Sequence, residues 1–353
     1  MAIEAQQALE RAMKHERNGD DEAALGAYLD AIEADPESVD IAYLTARALL
    51  KVGFLEEARS QLRRIVFIEP DHVKAKASLG NCHLLLGDDA NAETAFRDVL
   101  EVSPDNQNAL YGLASLHLKN EKFEEARILS EKLLKLTPKS AAAFTLFAQS
   151  FGADPHSSQA AAAFRKALTF DQDYTPALMG LARLAMLRHK FTEAETLSQK
   201  AARLNPSNSE PLRLLADALA GQKRYDDSRS ALISASQLPD ADKTAILLEM
   251  SALARRQGER HAALNHAYEA WKLQKDIPAA GNAIGACLKK LGLVGEAKLV
   301  LTAISNNASI PEQAVTKIES LIKDAEVIDP LPPMEPSEEP AADTVHNEKH
   351  PDV

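Results

Sequence analysis

Prolines recur along this chain at a spacing of 34 residues, and this period constrains the fold more than any other feature of the sequence. The prolines on this grid are Pro36, Pro70, Pro104, Pro138 and Pro206, with Pro239 one residue out of step. A fixed period of this length indicates that one small supersecondary unit is repeated head to tail. Because each repeat contacts only its neighbours, function is expected on an extended surface rather than in one catalytic pocket.

Small residues recur at two positions when the chain is aligned on its prolines. The units then start near Ala5, Val39, Val73, Gln107, Ala141, Thr175, Ser209, Thr244 and Pro278. Position 8 is small in every unit: Ala12, Ala46, Gly80, Ala114, Ala148, Ala182, Ala216, Ser251 and Gly285. Position 20 is also small: Ala24, Ala58, Ala92, Ala126, Ala160, Ala194, Ser228, Ala263 and Ala297. Small residues at this spacing predict two antiparallel helices that approach closely.

Large and helix-breaking residues complete the unit. Position 24 often carries a large side chain: Tyr28, Leu62, Phe96, Phe164 and Leu232. Glycine often occupies position 15, between the two predicted helices: Gly19, Gly53, Gly87, Gly258 and Gly292. Proline at position 32 cannot continue a helix, since it lacks an N–H and its ring clashes with the preceding turn. Each unit is therefore predicted to be a helical hairpin.

This pattern resembles the tetratricopeptide repeat, with its small residues at positions 8 and 20, its large residue at 24 and its proline at 32. The resemblance covers about residues 5 to 309, and Gln172, Lys275 and Ser309 depart from it at the terminal proline. It implies an all-α fold, a right-handed superhelical solenoid of about nine tetratricopeptide helical hairpins with a C-terminal capping helix.

Three segments are expected along the chain. Residues 1–309 form the repeat array, and residues 310–325 form the capping helix, because Ser309-Ile310-Pro311-Glu312 has the pattern of a helix start. Residues 326–353 are acidic and rich in proline, a composition that predicts a disordered tail. The tail carries a net charge of −7 out of −12 for the whole chain, so the remainder is only mildly acidic.

Export, membrane insertion and catalysis find no support in the sequence. The start of the chain lacks a basic segment followed by an apolar run, and no apolar stretch approaches the roughly 18 residues of a membrane span. A cytoplasmic protein is therefore expected. No phosphate-binding glycine loop, zinc-protease motif or nucleophile elbow is present, so we expect no enzyme activity and no cofactor.

Cysteines and histidines occupy repeated positions. Cys82 and Cys287 both lie at position 10 and are expected to be buried thiols. His15, His83 and His117 all lie at position 11. Packing against the next repeat is the favoured interpretation, because adjacent helices about 10 Å apart do not bring two imidazoles within about 2 Å of one metal ion. A metal-binding or pH-sensing role is the alternative.

The resemblance also implies that the first helix of each unit lines a concave groove, chiefly through positions 2, 5 and 9. The candidate partner-binding residues are Tyr43, Arg47, Lys74, Asn81, Asn108, Tyr111, Ser115, Gln149, Met179, Arg183, Arg213, Asp217 and Asn282. In the wider set of groove positions nine bases stand against three acids, which favours an acidic peptide ligand. The alternative is an ordinary solvated helix face, on which Arg213 and Asp217, four residues apart, pair with each other.

A non-enzymatic protein-interaction scaffold, in assembly, secretion or envelope biogenesis, is the leading functional hypothesis. The carboxylate clamp of chaperone-binding members is not predicted: Asn81 fits it, but Ala77 and Gly112 stand where the clamp needs Lys and Asn. A regulatory or accessory subunit of a transferase complex is the alternative. Nucleic-acid binding is disfavoured by the acidic charge balance. The tail segment 335–343 is a further candidate, as a competitor that folds back into the groove.

Overall fold

The structure, a computed structural model, describes residues 2–152, 154 and 156–326, and for residues 2, 325 and 326 it describes the backbone alone. Within these residues the chain forms 19 α-helices and no strands, so the prediction of an all-α helical repeat fold is confirmed. Apart from residue 326, the predicted acidic tail lies outside the described residues.

The described residues fall into two compact units, divided after Arg188. In unit 1 the helices are α1 (Ala2–Asn18), α2 (Asp21–Ala34), α3 (Val39–Val52), α4 (Leu55–Ile68), α5 (Val73–Leu85), α6 (Asp89–Val102), α7 (Gln107–Lys119), α8 (Phe123–Leu136), α9 (Ala141–Gln149), α10 (Ser158–Phe170) and α11 (Thr175–Leu187). In unit 2 they are α12 (Phe191–Leu204), α13 (Ser209–Gly221), α14 (Tyr225–Ser236), α15 (Lys243–Gln257), α16 (Arg260–Leu273), α17 (Pro278–Lys290), α18 (Val294–Ser305) and α19 (Glu312–Glu326).

Seven of the nine second helices in the described residues end two residues before position 32, whether or not that position holds proline, and α14 and α18 end four residues before it. Helix α4 ends at Ile68 before Pro70, and α10 ends at Phe170 although Gln172 replaces the proline. Six of the eight first helices that follow begin behind a capping side chain at position 34, and α11 and α17 lack one. The Ser38 hydroxyl accepts a hydrogen bond from the Ile41 N–H (3.3 Å). Such a cap satisfies one of the free N–H groups of the first turn, which fixes the helix start.

The turn inside each hairpin requires a left-handed residue. The φ angle at Gly53 is +100°, and that at Gly87 is +78°. Three units have a residue with a side chain at the same position, Glu121, His189 and Lys223, with φ of 56°, 56° and 65°. Because an L-residue is disfavoured in this region, these three turns are held by the packing of the helices on either side.

Helix α9 is shorter than the other first helices of unit 1. It contains nine residues, whereas the others contain 13 to 17. The chain leaves the helix at Ser150 and turns at Gly152, which has a φ of +64°. The hairpin is therefore closed by a turn that starts earlier than in its neighbours.

The small and large positions fit together as the repeat pattern predicts. Phe96 is fully buried, and an added Cβ on Gly80 would lie 2.7 Å from its ring. A Cβ on Gly112, in the next hairpin, would lie 2.2 Å from the same ring. Glycine is needed at these two positions because the aromatic ring occupies the space of any side chain.

First helices of neighbouring hairpins contact one another within unit 1: α3 with α5, α5 with α7, α7 with α9 and α9 with α11. Second helices pack mainly against first helices. This crowding places the first-helix side on the inside of the local curvature, where the exposed side chains of successive helices lie close together.

Helix α19 lies across two second helices in unit 2, packing against α16 and α18. Its residues Ala314 and Ile318 are buried in one cluster with Tyr268 and Trp271 of α16. The Tyr268 hydroxyl donates a hydrogen bond to Glu319 Oε1 (2.7 Å). The helix predicted at 310–325 thus covers part of the preceding hairpin as well as the last one.

Candidate partner-binding surface

Nine of the candidate residues form what we call the first-helix face of unit 1, on α3, α5, α7, α9 and α11. Six are exposed and three are half-buried. The exposed ones are Arg47, Lys74, Asn108, Tyr111, Gln149 and Arg183, and the half-buried ones are Tyr43, Asn81 and Ser115. Since consecutive first helices touch each other, these side chains lie on one continuous side of the unit.

Met179 does not belong to this face, contrary to the sequence prediction. Its side chain is only 4% exposed, so it has no surface for a partner. The repeat position alone suggested exposure, but an unbranched apolar side chain on a crowded helix gains free energy by packing inward.

Tyr43 is held in place by the next hairpin. Its ring centroid lies 5.2 Å from that of His72, and its hydroxyl oxygen lies 3.4 Å from Ser78 Oγ. His72 is itself fixed, because its Nδ1 accepts a hydrogen bond from the Ala75 N–H (3.1 Å). The phenol is therefore presented in a defined orientation and loses little entropy when a partner binds.

Tyr111 is the most exposed aromatic residue of the face, at 40%. Its hydroxyl is hydrogen-bonded to that of Tyr174, which immediately precedes α11. Burial, followed by the contact with Tyr111, raises the pKa of Tyr174 to about 12. The Tyr174 phenol therefore stays neutral at physiological pH.

Several cations of the groove positions are neutralised within the chain. The Arg47 guanidinium lies 3.7 Å from Glu16, Lys51 Nζ lies 2.6 Å from Asp21, and Lys119 Nζ lies 2.6 Å from Asp89. The two aspartates share one repeat position, at the start of the second helix of the preceding hairpin. The excess of bases predicted from the sequence is thus reduced, because these acids come from elements that the count of first-helix positions left out.

The amide side chains of the face, unlike several cations of the groove positions, form no hydrogen bonds within the described residues. The side chains of Asn81, Asn108 and Gln149 have no hydrogen-bond partner among the described residues, and Lys74 has no ion-pair partner there. Each amide offers both donors and an acceptor, the complement of a peptide main chain. Chemically, the face is suited to hydrogen-bond an extended polypeptide.

In unit 2 the predicted pairing of Arg213 with Asp217 is wrong. Arg213 Nε instead donates to both carboxylate oxygens of Glu249, at 3.0 and 3.1 Å. These hydrogen bonds raise the pKa of Arg213. Desolvation, followed by the nearby Glu249 charge, raises the pKa of Asp217, although its side chain is exposed. Asn282, the third candidate in this unit, is exposed on α17.

The cysteines are buried, as predicted, and both thiols are free. Cys82 Sγ donates to the Leu55 carbonyl oxygen (3.1 Å), and burial raises the pKa of both thiols. A raised pKa lowers the thiolate fraction and hence the reactivity of the thiols.

Two of the position 11 histidines contact an aspartate that caps the second helix of the same hairpin. His15 Nδ1 lies 3.6 Å from Asp20, and His83 Nδ1 lies 3.0 Å from Asp88.

The described residues contain no group of three or more His, Cys, Asp or Glu side chains that could hold a metal ion. No helix of the described part of the chain combines the length and the apolar character that crossing a membrane requires.

Two curated sequence profiles, both described as tetratricopeptide repeat, match the chain. One matches residues 83–150, and the other matches 9–68, 43–98 and 179–245. Together they cover more than half of the chain. The Hsp70-Hsp90 organizing protein of Triticum aestivum is 32% identical over 93 residues, which are 26% of this chain and 16% of that protein. The chain thus matches about a sixth of the length of this relative.

Among solved structures, the Cut9–Hcn1 hetero-tetramer of the APC/C contains a chain with a TM-score of 0.65 and 16% identity. The match covers 80% of this chain and 54% of that one. A tetratricopeptide repeat protein from Parabacteroides merdae has a TM-score of 0.41 and 13% identity, over 81% of this chain and 99% of the other. The repeated profile matches, the helical hairpins and the fold shared with Cut9–Hcn1 agree with one another, and the chain belongs to the tetratricopeptide repeat family.

Proposed function

We propose that this chain is a non-enzymatic adaptor that binds extended segments of partner proteins along the first-helix face of unit 1. One observation carries the proposal: Tyr43, Tyr111 and a series of unengaged amides lie on consecutive first helices that touch one another. Aromatic side chains and amides are the groups that recognise peptides with a small loss of side-chain entropy. Membership of a family of protein-binding repeats supports this class of function.

The ligand in this proposal is a peptide whose main chain hydrogen-bonds to Asn81, Asn108 and Gln149. A preference for acidic peptides rests on Lys74, an exposed cation of the face. Since Arg47 already faces Glu16, the preference should be modest rather than absolute. We propose that the partners belong to assembly, secretion or envelope-biogenesis systems.

The similarity to the Hsp70-Hsp90 organizing protein supports protein binding but does not extend to a carboxylate clamp. Gly112 stands where the clamp needs Asn, and the Phe96 ring fills the space of any side chain at that position. Ala77, where the clamp needs Lys, is buried. We therefore propose that the partner is recognised along its length rather than by its terminal carboxylate.

The test uses arrays of synthetic peptides that range from acidic to basic, probed with the native chain and two variants. Lys74→Glu should weaken binding of acidic peptides several-fold, and Asn108→Ala with Gln149→Ala should weaken all peptides alike. The matched control is Lys135→Glu, which makes the same charge change at an exposed position of the second helix α8. Lys74 and Lys135 both lack an ion-pair partner among the described residues, so neither change breaks one.

Reversal of Arg47 or Arg213 is a poorer test, because each arginine contacts a glutamate of the chain, so the substitution would also break an ion pair. Unchanged binding by both Lys74→Glu and the double amide variant would refute the proposed surface. Binding of RNA or DNA oligonucleotides in the same assay, with a strong salt dependence, would instead favour the nucleic-acid alternative.

A further inference from the structure

Unit 2 contains a cavity of about 470 Å³ between the C-terminal ends of α16 and α18 and the start of α19. Trp271, Ile304, Ile310 and Val315 form its apolar wall, and Lys275 lies at its edge. This volume falls in the range of about 300–1,000 Å³ that is typical of ligand pockets. None of the candidate partner-binding residues lines it.

The aromatic wall of this cavity is rigid. Trp271 is 8% exposed, and its ring stacks on that of Tyr268 with centroids 5.7 Å apart. Lys275 Nζ lies 5.5 Å from the centroid of the Trp271 ring. The cavity thus combines a fixed indole with a cation, the surface on which proline-rich segments dock in a polyproline II conformation.

We infer that the occupant of this cavity is the segment 330–336 of the same chain, Pro-Leu-Pro-Pro-Met-Glu-Pro. This segment has four prolines and two apolar side chains, which suit an apolar wall, and its Glu335 suits Lys275. Asp276 and Glu312 also line the cavity, so apolar contact rather than overall charge supplies the attraction. The inference is independent of the adaptor function proposed for unit 1.

The length of the chain allows this docking. Eleven residues of α19 separate Val315, at the cavity, from Glu326 at the end of the helix. That distance is about 17 Å along the helix axis, at about 1.5 Å per residue. The five residues 327–331, at about 3.3 Å each, span about 17 Å, so the docking segment reaches the cavity from Leu331 onward by running back along α19.

Because the segment is tethered close to the cavity, a weak contact is sufficient to keep the cavity occupied. A short connection gives the segment an effective concentration on the order of millimolar at the cavity. A segment that would bind only weakly as a free peptide is therefore bound most of the time when it belongs to the same chain. Proline adds to this, since its restricted backbone has little conformational entropy to lose.

Fluorescence gives a direct test in the full chain, because Trp271 is its single tryptophan. Replacing Leu331, Pro332 and Pro333 by Ser should shift the Trp271 emission to longer wavelength and increase its quenching by acrylamide. The matched control replaces Pro340 and Pro351 by Ser, outside the docking segment. It should leave the emission wavelength of Trp271 and its quenching by acrylamide unchanged.

Disulfide trapping provides a second readout that does not depend on emission. Ser309 lines the cavity and is exposed, so Ser309→Cys with Leu331→Cys should oxidise to an intramolecular disulfide. The pair Ser309→Cys with Thr344→Cys is the control for chance encounter of a tethered segment. Bond formation requires Cα atoms within about 7 Å, so only docking favours the first pair. The two native cysteines are buried and should not compete.

The expected result is several-fold faster cross-linking of the Leu331→Cys pair. Equal rates for the two pairs, or identical emission of the native chain and the Ser variant, would overturn the inference. Intermolecular disulfides, or an emission that depends on protein concentration, would assign the cavity to a second copy of the chain and would also overturn it.

Discussion

The pKa of Asp217 is set by desolvation and by a residue of a neighbouring helix, and it differs from what its position in the repeat predicts. Position 9 of a first helix predicts a solvated carboxylate, and the i, i+4 spacing predicts a partner in Arg213. In the structure Arg213 instead donates hydrogen bonds to Glu249 of the next first helix. Asp217 is left beside Glu249, and desolvation together with this second carboxylate raises its pKa.

Asp217→Asn should therefore stabilise the fold at neutral pH. A raised pKa means that the folded state holds the proton more tightly, so the stability contributed by Asp217 is lost as the pH rises through its folded pKa. The gain on substitution should be below about 1 kcal/mol, because the side chain is exposed and water screens the interaction. Urea unfolding at several pH values measures it. The difference should narrow toward about pH 4, near the ordinary pKa of aspartate. A stability difference that is independent of pH would contradict this explanation.

At the scale of the helical hairpin, the turn between two helices is more uniform than the residues that form it. Position 15 is left-handed in units with glycine and equally in those with Glu121, His189 or Lys223. Likewise, second helices end at the same position before Pro70 and before Gln172. The packing of the small positions against large ones fixes the geometry, and the local residues adapt to it.

The three side chains at left-handed positions should each cost stability. Glu121→Gly is expected to raise the free energy of unfolding by about 1 kcal/mol, because glycine adopts positive φ without the clash of a Cβ. His189→Gly and Lys223→Gly should act in the same direction. As a control, Glu131→Gly in the middle of α8 should lower stability by about 1 kcal/mol, since glycine is a poor helix former. Denaturant unfolding distinguishes the two signs, and destabilisation by Glu121→Gly would show that this turn is not strained.

At the scale of the whole molecule, each unit contains a histidine whose neutral form the fold favours. Burial lowers the pKa of His117 in unit 1, and it likewise lowers that of His266 in unit 2. A histidine with a lowered folded pKa binds fewer protons than it does in the unfolded chain. Stability is then complete above the unfolded pKa of about 6.5 and falls as the pH drops below it.

The chain should consequently lose stability between about pH 7 and about pH 5. Replacing both histidines, by His117→Phe and His266→Gln, should reduce this loss of stability, because neither phenylalanine nor glutamine binds a proton in this pH range. Chemical unfolding of the native and double-variant chains across this range tests the prediction. His15→Gln is a suitable control, since the side chain of His15 is 40% exposed. An unchanged pH dependence in the double variant would contradict it.

The repeat geometry followed from the sequence because it depends on local patterns. Proline at position 32, glycine at position 15 and the small residues at positions 8 and 20 act within one hairpin or between adjacent ones. The nine predicted unit starts fall within a few residues of first-helix starts, as at Val39 and Val73. The candidate face could be placed on these helices for the same reason, with the family resemblance indicating which side faces inward.

Which groups remain available on that face was decided by the tertiary structure alone. The pairing of Lys51 with Asp21, the burial of Met179 and the capture of Arg213 by Glu249 all depend on contacts between separate hairpins. The placement of α19 across α16 and α18, which leaves a cavity beside Trp271, is of the same kind. A periodic pattern determines which residues share a helix face. The distances between helices determine which of their charges meet and which apolar side chains are covered.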